Sequence, residues 1–214
     1  MQKIINEIKE KKIIAIIRGV GSDRIADTVG ALLKGGINLV EITFDQSGII
    51  PREDTAKSIE TVSSGFDNVY VGAGTVMSET NLGLAVSAGA KFILSPDTNI
   101  GIIEKTKERG LVSIPGATTP SECATARAAG ADFVKLFPAG ELGCKYLKAI
   151  SSPLSDIPFL CVGGINETNI PEFIRNGAVG FGIGGNLVNS ALVLSGNYEE
   201  ITRRARSFVN AVNA

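Results

Sequence analysis

Eight short apolar runs recur along this chain, and each is followed by a segment whose apolar residues have helical spacing. They occupy residues 13–17, 37–42, 69–72, 90–94, 111–114, 131–137, 158–162 and 178–183. Five of them are entered through a glycine: Gly36, Gly89, Gly110, Gly130 and Gly177. A glycine in left-handed conformation can close a helix and release the chain into a strand. The runs are nearly continuous rather than alternating, which predicts strands buried on both faces, as in a parallel sheet covered by helices. Eight β–α units within 214 residues predict an α/β fold, a closed (β/α)8 TIM barrel forming a single domain over residues 1–214. An open doubly wound sheet is the alternative, but no GxGxxG follows the first run. The first ten residues mix Ile with Lys and Glu at helical spacing, which predicts an extra N-terminal helix packed under the barrel.

The chain contains no histidine. That excludes Ser-His-Asp and Cys-His hydrolases, HExxH metalloproteases and His-ligated zinc or haem. Proton transfer near neutral pH then falls to carboxylates, lysine, tyrosine, a thiol or water. The net charge of −1 leaves no basic surplus for phosphate-backbone contact, so no nucleic-acid partner is expected. No apolar run approaches the ~18 residues of a spanning helix, and the N-terminus lacks the pattern of a signal peptide. Cys123, Cys144 and Cys161 are scattered and odd in number, as expected of buried free thiols in a reducing cytoplasm.

Barrels of this kind carry their sites at the C-terminal ends of the strands. Polar residues inside or just beyond the runs are therefore candidates. Lys91 and Asp132 open their runs at the opposite, solvated end and need no functional reading. Lys135 lies in Phe133-Val134-Lys135-Leu136-Phe137, Glu41 in Leu39-Val40-Glu41-Ile42-Thr43-Phe44, and Arg18 directly follows the first run. Lys135 could snorkel outward between helices, and Glu41 with Lys135 could form a structural ion pair. The functional alternative is a Schiff base. An apolar wall and a nearby cation such as Arg18 lower the amine's pKa, Glu41 opposes that, and the neutral amine attacks a substrate carbonyl. Glu41 is then the available general acid/base.

Val162-Gly163-Gly164-Ile165-Asn166 and Gly182-Ile183-Gly184-Gly185-Asn186 end the last two runs, where barrels commonly bind phosphate through backbone N–H groups. Tight turns without a ligand would read the same way. Thr75, in Gly72-Ala73-Gly74-Thr75-Val76, is either a ligand-facing hydroxyl or a plain cap. Pro96 and Pro115 can simply stop their strands, and Phe137 fills the core by default.

Taken together, Val40-Glu41-Ile42-Thr43-Phe44, Gly72-Ala73-Gly74-Thr75-Val76, Ser95-Pro96, the stretch 115–122, Lys135-Leu136-Phe137-Pro138 and Gly163-Gly164-Ile165 resemble one family over essentially the whole chain. It is the class I aldolases of 2-keto-3-deoxy-6-phosphogluconate (KDPG) and 4-hydroxy-2-oxoglutarate (KHG). The resemblance implies that Lys135 forms the imine and Glu41 is the acid/base. It implies that Arg18, Thr75, Pro96 and Phe137 shape the keto-acid pocket, with Arg18 pairing with the substrate carboxylate. It further implies a homotrimer, no metal and no cofactor, and cleavage to pyruvate and an aldehyde such as glyceraldehyde 3-phosphate.

The chain departs from the family pattern at three positions. Asp45 stands where many members have Arg, Val162 where the gluconate aldolases usually have Thr, and Gly185 where the phosphate loop usually has Ser. Val162 resembles the aldolases of the galactonate epimer, and Gly185 implies weaker phosphate binding or an unphosphorylated substrate. A phosphosugar isomerase or epimerase, and a barrel that only binds a phosphorylated acid, are the competing readings.

Overall fold

The structure, a computed structural model, describes residues 1–214. Helix α1 (Gln2–Lys11) precedes strand β1 (Ile13–Ile17). Then follow α2 (Ile25–Lys34), β2 (Leu39–Thr43), α3 (Arg52–Gly65), β3 (Tyr70–Gly74), α4 (Glu79–Ser87), β4 (Phe92–Leu94) and α5 (Ile100–Glu108). The chain continues through β5 (Val112–Ile114), β6 (Gly116–Ala117), α6 (Pro120–Ala128), β7 (Val134–Leu136), α7 (Ala139–Ser151), β8 (Phe159–Val162), α8 (Ile170–Arg175) and β9 (Ala178–Ile183). Helices α9 (Ser190–Leu194) and α10 (Tyr198–Val212) end it.

Nine parallel strands run in the order β5-β4-β3-β2-β1-β9-β8-β7-β6. The two ends of that order are consecutive pieces of one extended stretch, 112–117, interrupted only at Pro115, so the sheet closes on itself into the expected barrel. Pro115 has no N–H for the ladder and breaks the fifth strand into β5, within the expected run 111–114, and β6, beyond it. All five glycines expected to release helices into strands have positive φ. Only a residue without a Cβ takes that conformation freely.

Two apolar shells hold the barrel. The larger cluster lies between the outward strand faces and the surrounding helices. The smaller fills the barrel axis with Ile14, Leu39, Phe92, Leu94, Val112, Ile114, Phe133 and Leu160, and Ile4 and Ile8 of α1 join it. Helix α1 therefore plugs the axis end opposite the strand C-termini, as the sequence predicts. At that same end Asp132 differs from expectation. It is half-buried, pairs with Lys107 at 2.5 Å and accepts a 2.8 Å hydrogen bond from the Ser113 N–H. Its role is to tie α5 and β5 to the start of β7.

Candidate active site

Strand side chains alternate in direction, so the axial cluster fixes what lies above it. Leu39 is axial, and Glu41, two residues on, shares its face. Phe133 is axial, and Lys135 follows by the same step. Ile14 leads to Ile16 and then Arg18, and Leu160 leads to Val162. The barrel thus turns the one carboxyl and the one amine of its central strands towards its upper axis. Lys135 does not snorkel outward: it is 7% exposed, and Glu41 is 1% exposed.

These two groups form no ion pair, and Glu41 Oε2 has no hydrogen-bond partner in the protein. A structural ion pair is therefore not their role. A buried carboxyl without a partner is costly, and such a group marks a place where something else supplies the bond. Burial raises the Glu41 pKa, with Lys135 and Arg18 pulling it back. Burial lowers the Lys135 pKa from its ordinary value of 10.5; Glu41 opposes this and Arg18 assists. Both groups are pushed towards their uncharged forms, which gives a nucleophilic amine beside a carboxyl able to exchange protons.

The space for Glu41 depends on Gly74. A Cβ there would fall on the Glu41 carboxyl. Likewise a Cβ on Gly72 would collide with the Phe92 ring that fills the axis. The two glycines of β3 are thus needed for close approach. Gly74→Ala is expected to cost about 1–3 kcal/mol by overpacking and to displace Glu41. A chemical denaturation midpoint measured beside the turnover rate checks it, both falling.

Above the pair lies a cavity of about 390 Å³ lined by Lys135 and by every residue anticipated for substrate: Arg18, Thr75, Pro96, Phe137, Val162, Gly163, Gly164, Gly184 and Gly185. Arg18 is exposed and has no ion-pair partner, so its guanidinium remains available to a carboxylate. Thr75 has φ 58, a left-handed conformation that is costly for a β-branched residue. It is no helix cap, since Ser78 caps α4 by accepting from the Asn81 N–H. Phe137 does not fill the core. It is 39% exposed, and its ring centre lies 5.1 Å from the Lys135 Nζ. A ring face at that distance favours a cation on this nitrogen. The Phe137 carbonyl accepts from the Thr118 hydroxyl, and Tyr146 donates to the Thr118 carbonyl, so a polar chain holds the ring's backbone.

The two glycine turns meet at the cavity's far wall. Gly163 and Gly164 have φ 85 and 71. A Cβ on Gly163 would press on the Phe137 ring at 3.1 Å, and one on Gly164 would meet Gly140 Cα at 2.9 Å. Gly184 and Gly185, by contrast, face open space. Asn186 Nδ2 donates to the Ile165 carbonyl and joins one turn to the other. Sequence reasoning missed Asn186, Ile165, Ile16 and Gly182, all of which line the cavity. A Cβ on Gly182 would sit 2.8 Å from Val162 and 3.0 Å from Ile16, so a small residue in β9 keeps the floor open. The Asn186 signal was present as the polar residue ending a glycine turn.

Asp45 stays out of this cavity. Its carboxylate accepts from the Ser47 N–H at 2.9 Å, the Ile50 N–H at 2.9 Å and the Ser47 hydroxyl at 2.7 Å. These bonds hold its pKa down to about 2 and commit it to its own loop. Burial pushes the thiols up, Cys123 to about 11, so none of the three buried cysteines supplies a thiolate. No group of three or more His, Cys, Asp or Glu side chains is placed to hold a metal ion, and no helix is long and apolar enough to cross a membrane.

The family model for KDPG and KHG aldolase matches residues 4–204. The chain is 33% identical over 180 residues to a probable 2-dehydro-3-deoxy-6-phosphogalactonate aldolase of Rhizobium meliloti, covering 83% of this chain and 82% of that protein. It is 31% identical over 201 residues to the 2-dehydro-3-deoxy-6-phosphogalactonate aldolase of Escherichia coli, covering 93% of each. Among solved structures, native KDPGal superimposes with a TM-score of 0.86 at 30% identity, covering 94% of both chains. KDPG aldolase from Legionella pneumophila, with pyruvate captured as a covalent carbinolamine intermediate, gives 0.84 at 27% identity, covering 92% of this chain and 94% of that one. The chain belongs to the KDPG and KHG aldolase family.

Proposed function

We propose that this protein is a class I aldolase that reversibly cleaves a 2-keto-3-deoxy-6-phospho sugar acid to pyruvate and an aldehyde. The observation that carries the reading is the buried Lys135 amine, lowered in pKa and lining an open cavity, with the unpartnered buried carboxyl of Glu41 on the same inward face of the barrel. Neutral Lys135 attacks the C2 ketone, water leaves, and the protonated imine stabilises the electrons released when C3–C4 breaks. Glu41 takes the C4 hydroxyl proton as that bond breaks, and the aldehyde departs. Protonation of the enamine at C3 and hydrolysis of the imine release pyruvate and free Lys135. The Phe137 ring face favours the positive charge of the iminium. Arg18 pairs with the C1 carboxylate, and the two glycine turns offer backbone N–H groups to the phosphate. The covalent imine supplies the electron sink, so the mechanism uses no metal or organic cofactor. The expected partners are the keto acid and pyruvate, a homotrimeric assembly follows the family resemblance, and the reaction is assigned to the cytoplasm.

The galactonate epimer is favoured by one specific feature. Val162 offers the substrate an apolar surface at the cavity wall where a threonine would offer a hydroxyl. The C4 hydroxyl of the wrong hand would therefore find no partner there, while the apolar face tolerates the other hand. Pyruvate release from the gluconate and galactonate epimers, with and without phosphate, is the deciding measurement. Faster turnover of the phosphogalactonate epimer is expected. Cleavage of neither epimer would overturn the assignment.

A further inference from the structure

The two most exposed large aliphatic side chains of the molecule are Ile49, at 84%, and Leu194, at 69%. They come from different segments, the loop after β2 and the end of α9, yet both line one second chamber of about 680 Å³. Clustered exposed apolar residues mark binding surfaces where scattered ones do not. This chamber adjoins the substrate cavity, since Ile16, Arg18, Gly184 and Gly185 border both. Val188 adds to its apolar wall. Its one carboxylate, Asp45, is occupied by the N–H groups of Ser47 and Ile50 and so forms part of the wall. Gly185 brings no side chain to the border between the chambers. The chamber lacks a free cation of its own other than Arg18, so it offers a second phosphate no counter-charge. Its chemistry suits a hydrocarbon chain.

We propose that this chamber is a second acceptor subsite, which takes the apolar tail of an unphosphorylated aliphatic aldehyde during carbon–carbon bond formation with pyruvate. The inference rests on the Schiff-base reading above. The enamine carbon of Lys135-bound pyruvate bonds to the aldehyde carbon. The aldehyde oxygen takes a proton from Glu41 and becomes the C4 hydroxyl. Water then hydrolyses the imine, freeing Lys135 and a 4-hydroxy-2-oxo acid with an alkyl tail. No oxidant or reductant is consumed.

The test is kcat/KM for condensation of pyruvate with propanal, butanal and hexanal, compared with glyceraldehyde 3-phosphate. Burial of the tail predicts a rise of up to about fourfold for each added methylene. In the Ile49→Asp, Leu194→Asp double variant that rise flattens, and the hexanal to glyceraldehyde 3-phosphate ratio falls about tenfold. Leu194→Gln alone, a milder surface change, gives a smaller fall in the same ratio. A flat series in the unmodified protein overturns the proposal. So does a double variant that changes the sedimentation coefficient but not the ratio, because the patch then seats a second copy of the chain. Borohydride trapping of pyruvate separates the two levels. Trapping on Lys135 with a flat series removes this proposal alone, whereas no trapping removes the Schiff-base reading and this proposal together.

Discussion

Replacing Lys135 with Met lowers pyruvate release by about four orders of magnitude or more, because the nucleophile and the electron sink vanish together. The same variant unfolds at a higher temperature than the parent. Burial lowers the Lys135 pKa, so between the lowered value and the ordinary 10.5 the unfolded chain binds more protons than the folded one. Folding is then opposed by proton release, and stability rises as pH climbs through that window. A methionine carries no such cost, and it fits beside Phe137. Thermal melts at pH 7 together with steady-state turnover check both effects. Loss of activity with a lower melting temperature would mean that Lys135 serves the fold.

Glu41→Gln is expected to slow cleavage by about 10²–10⁴-fold while leaving imine formation slow but present. Its stability signature has the opposite pH sense to that of Lys135. The folded pKa of Glu41 is raised, so between its ordinary 4.5 and the raised value the folded state holds more protons. Stability therefore falls as pH rises through that window and stays lower above it. Glutamine removes the slope, and the variant gains stability at neutral pH. Cleavage needs the carboxylate, so the acid limb of the pH–rate profile reports the raised Glu41 pKa. A profile with an unaltered acid limb in Glu41→Gln would assign the proton transfer to another group. Active-site groups held in unfavourable states commonly reduce stability in this way.

The barrel was legible because its signals are local. Glycines that close helices, such as Gly130 and Gly177, announce strands regardless of what packs on them. The plug formed by α1 was legible from its apolar spacing alone, with Ile4 and Ile8 reaching the axis. The inward direction of Lys135 was harder to read. Both faces of β7 are apolar, so period-two alternation is invisible in the sequence, and only the axial position of Phe133 settles which way Lys135 points. Phe137 reads as core by default and as pocket-lining only through the family resemblance, and the start of α7 at Ala139 leaves its ring at the rim. The engagement of Asp45 with its own loop was not legible for a related reason. An acid near an anion site suggests repulsion, but the side chain turns back onto the N–H groups of Ser47 and Ile50, contacts between near neighbours that residue type alone does not specify. The need for Gly74 was likewise hidden, since the Glu41 carboxyl it accommodates comes from a different strand.

The most direct test of the account is mass mapping after incubation of the protein with pyruvate and borohydride. The predicted result is one stable adduct, carried on Lys135, whose formation accelerates as pH rises through the lowered Lys135 pKa. An adduct on any other lysine, or none at all, would contradict it.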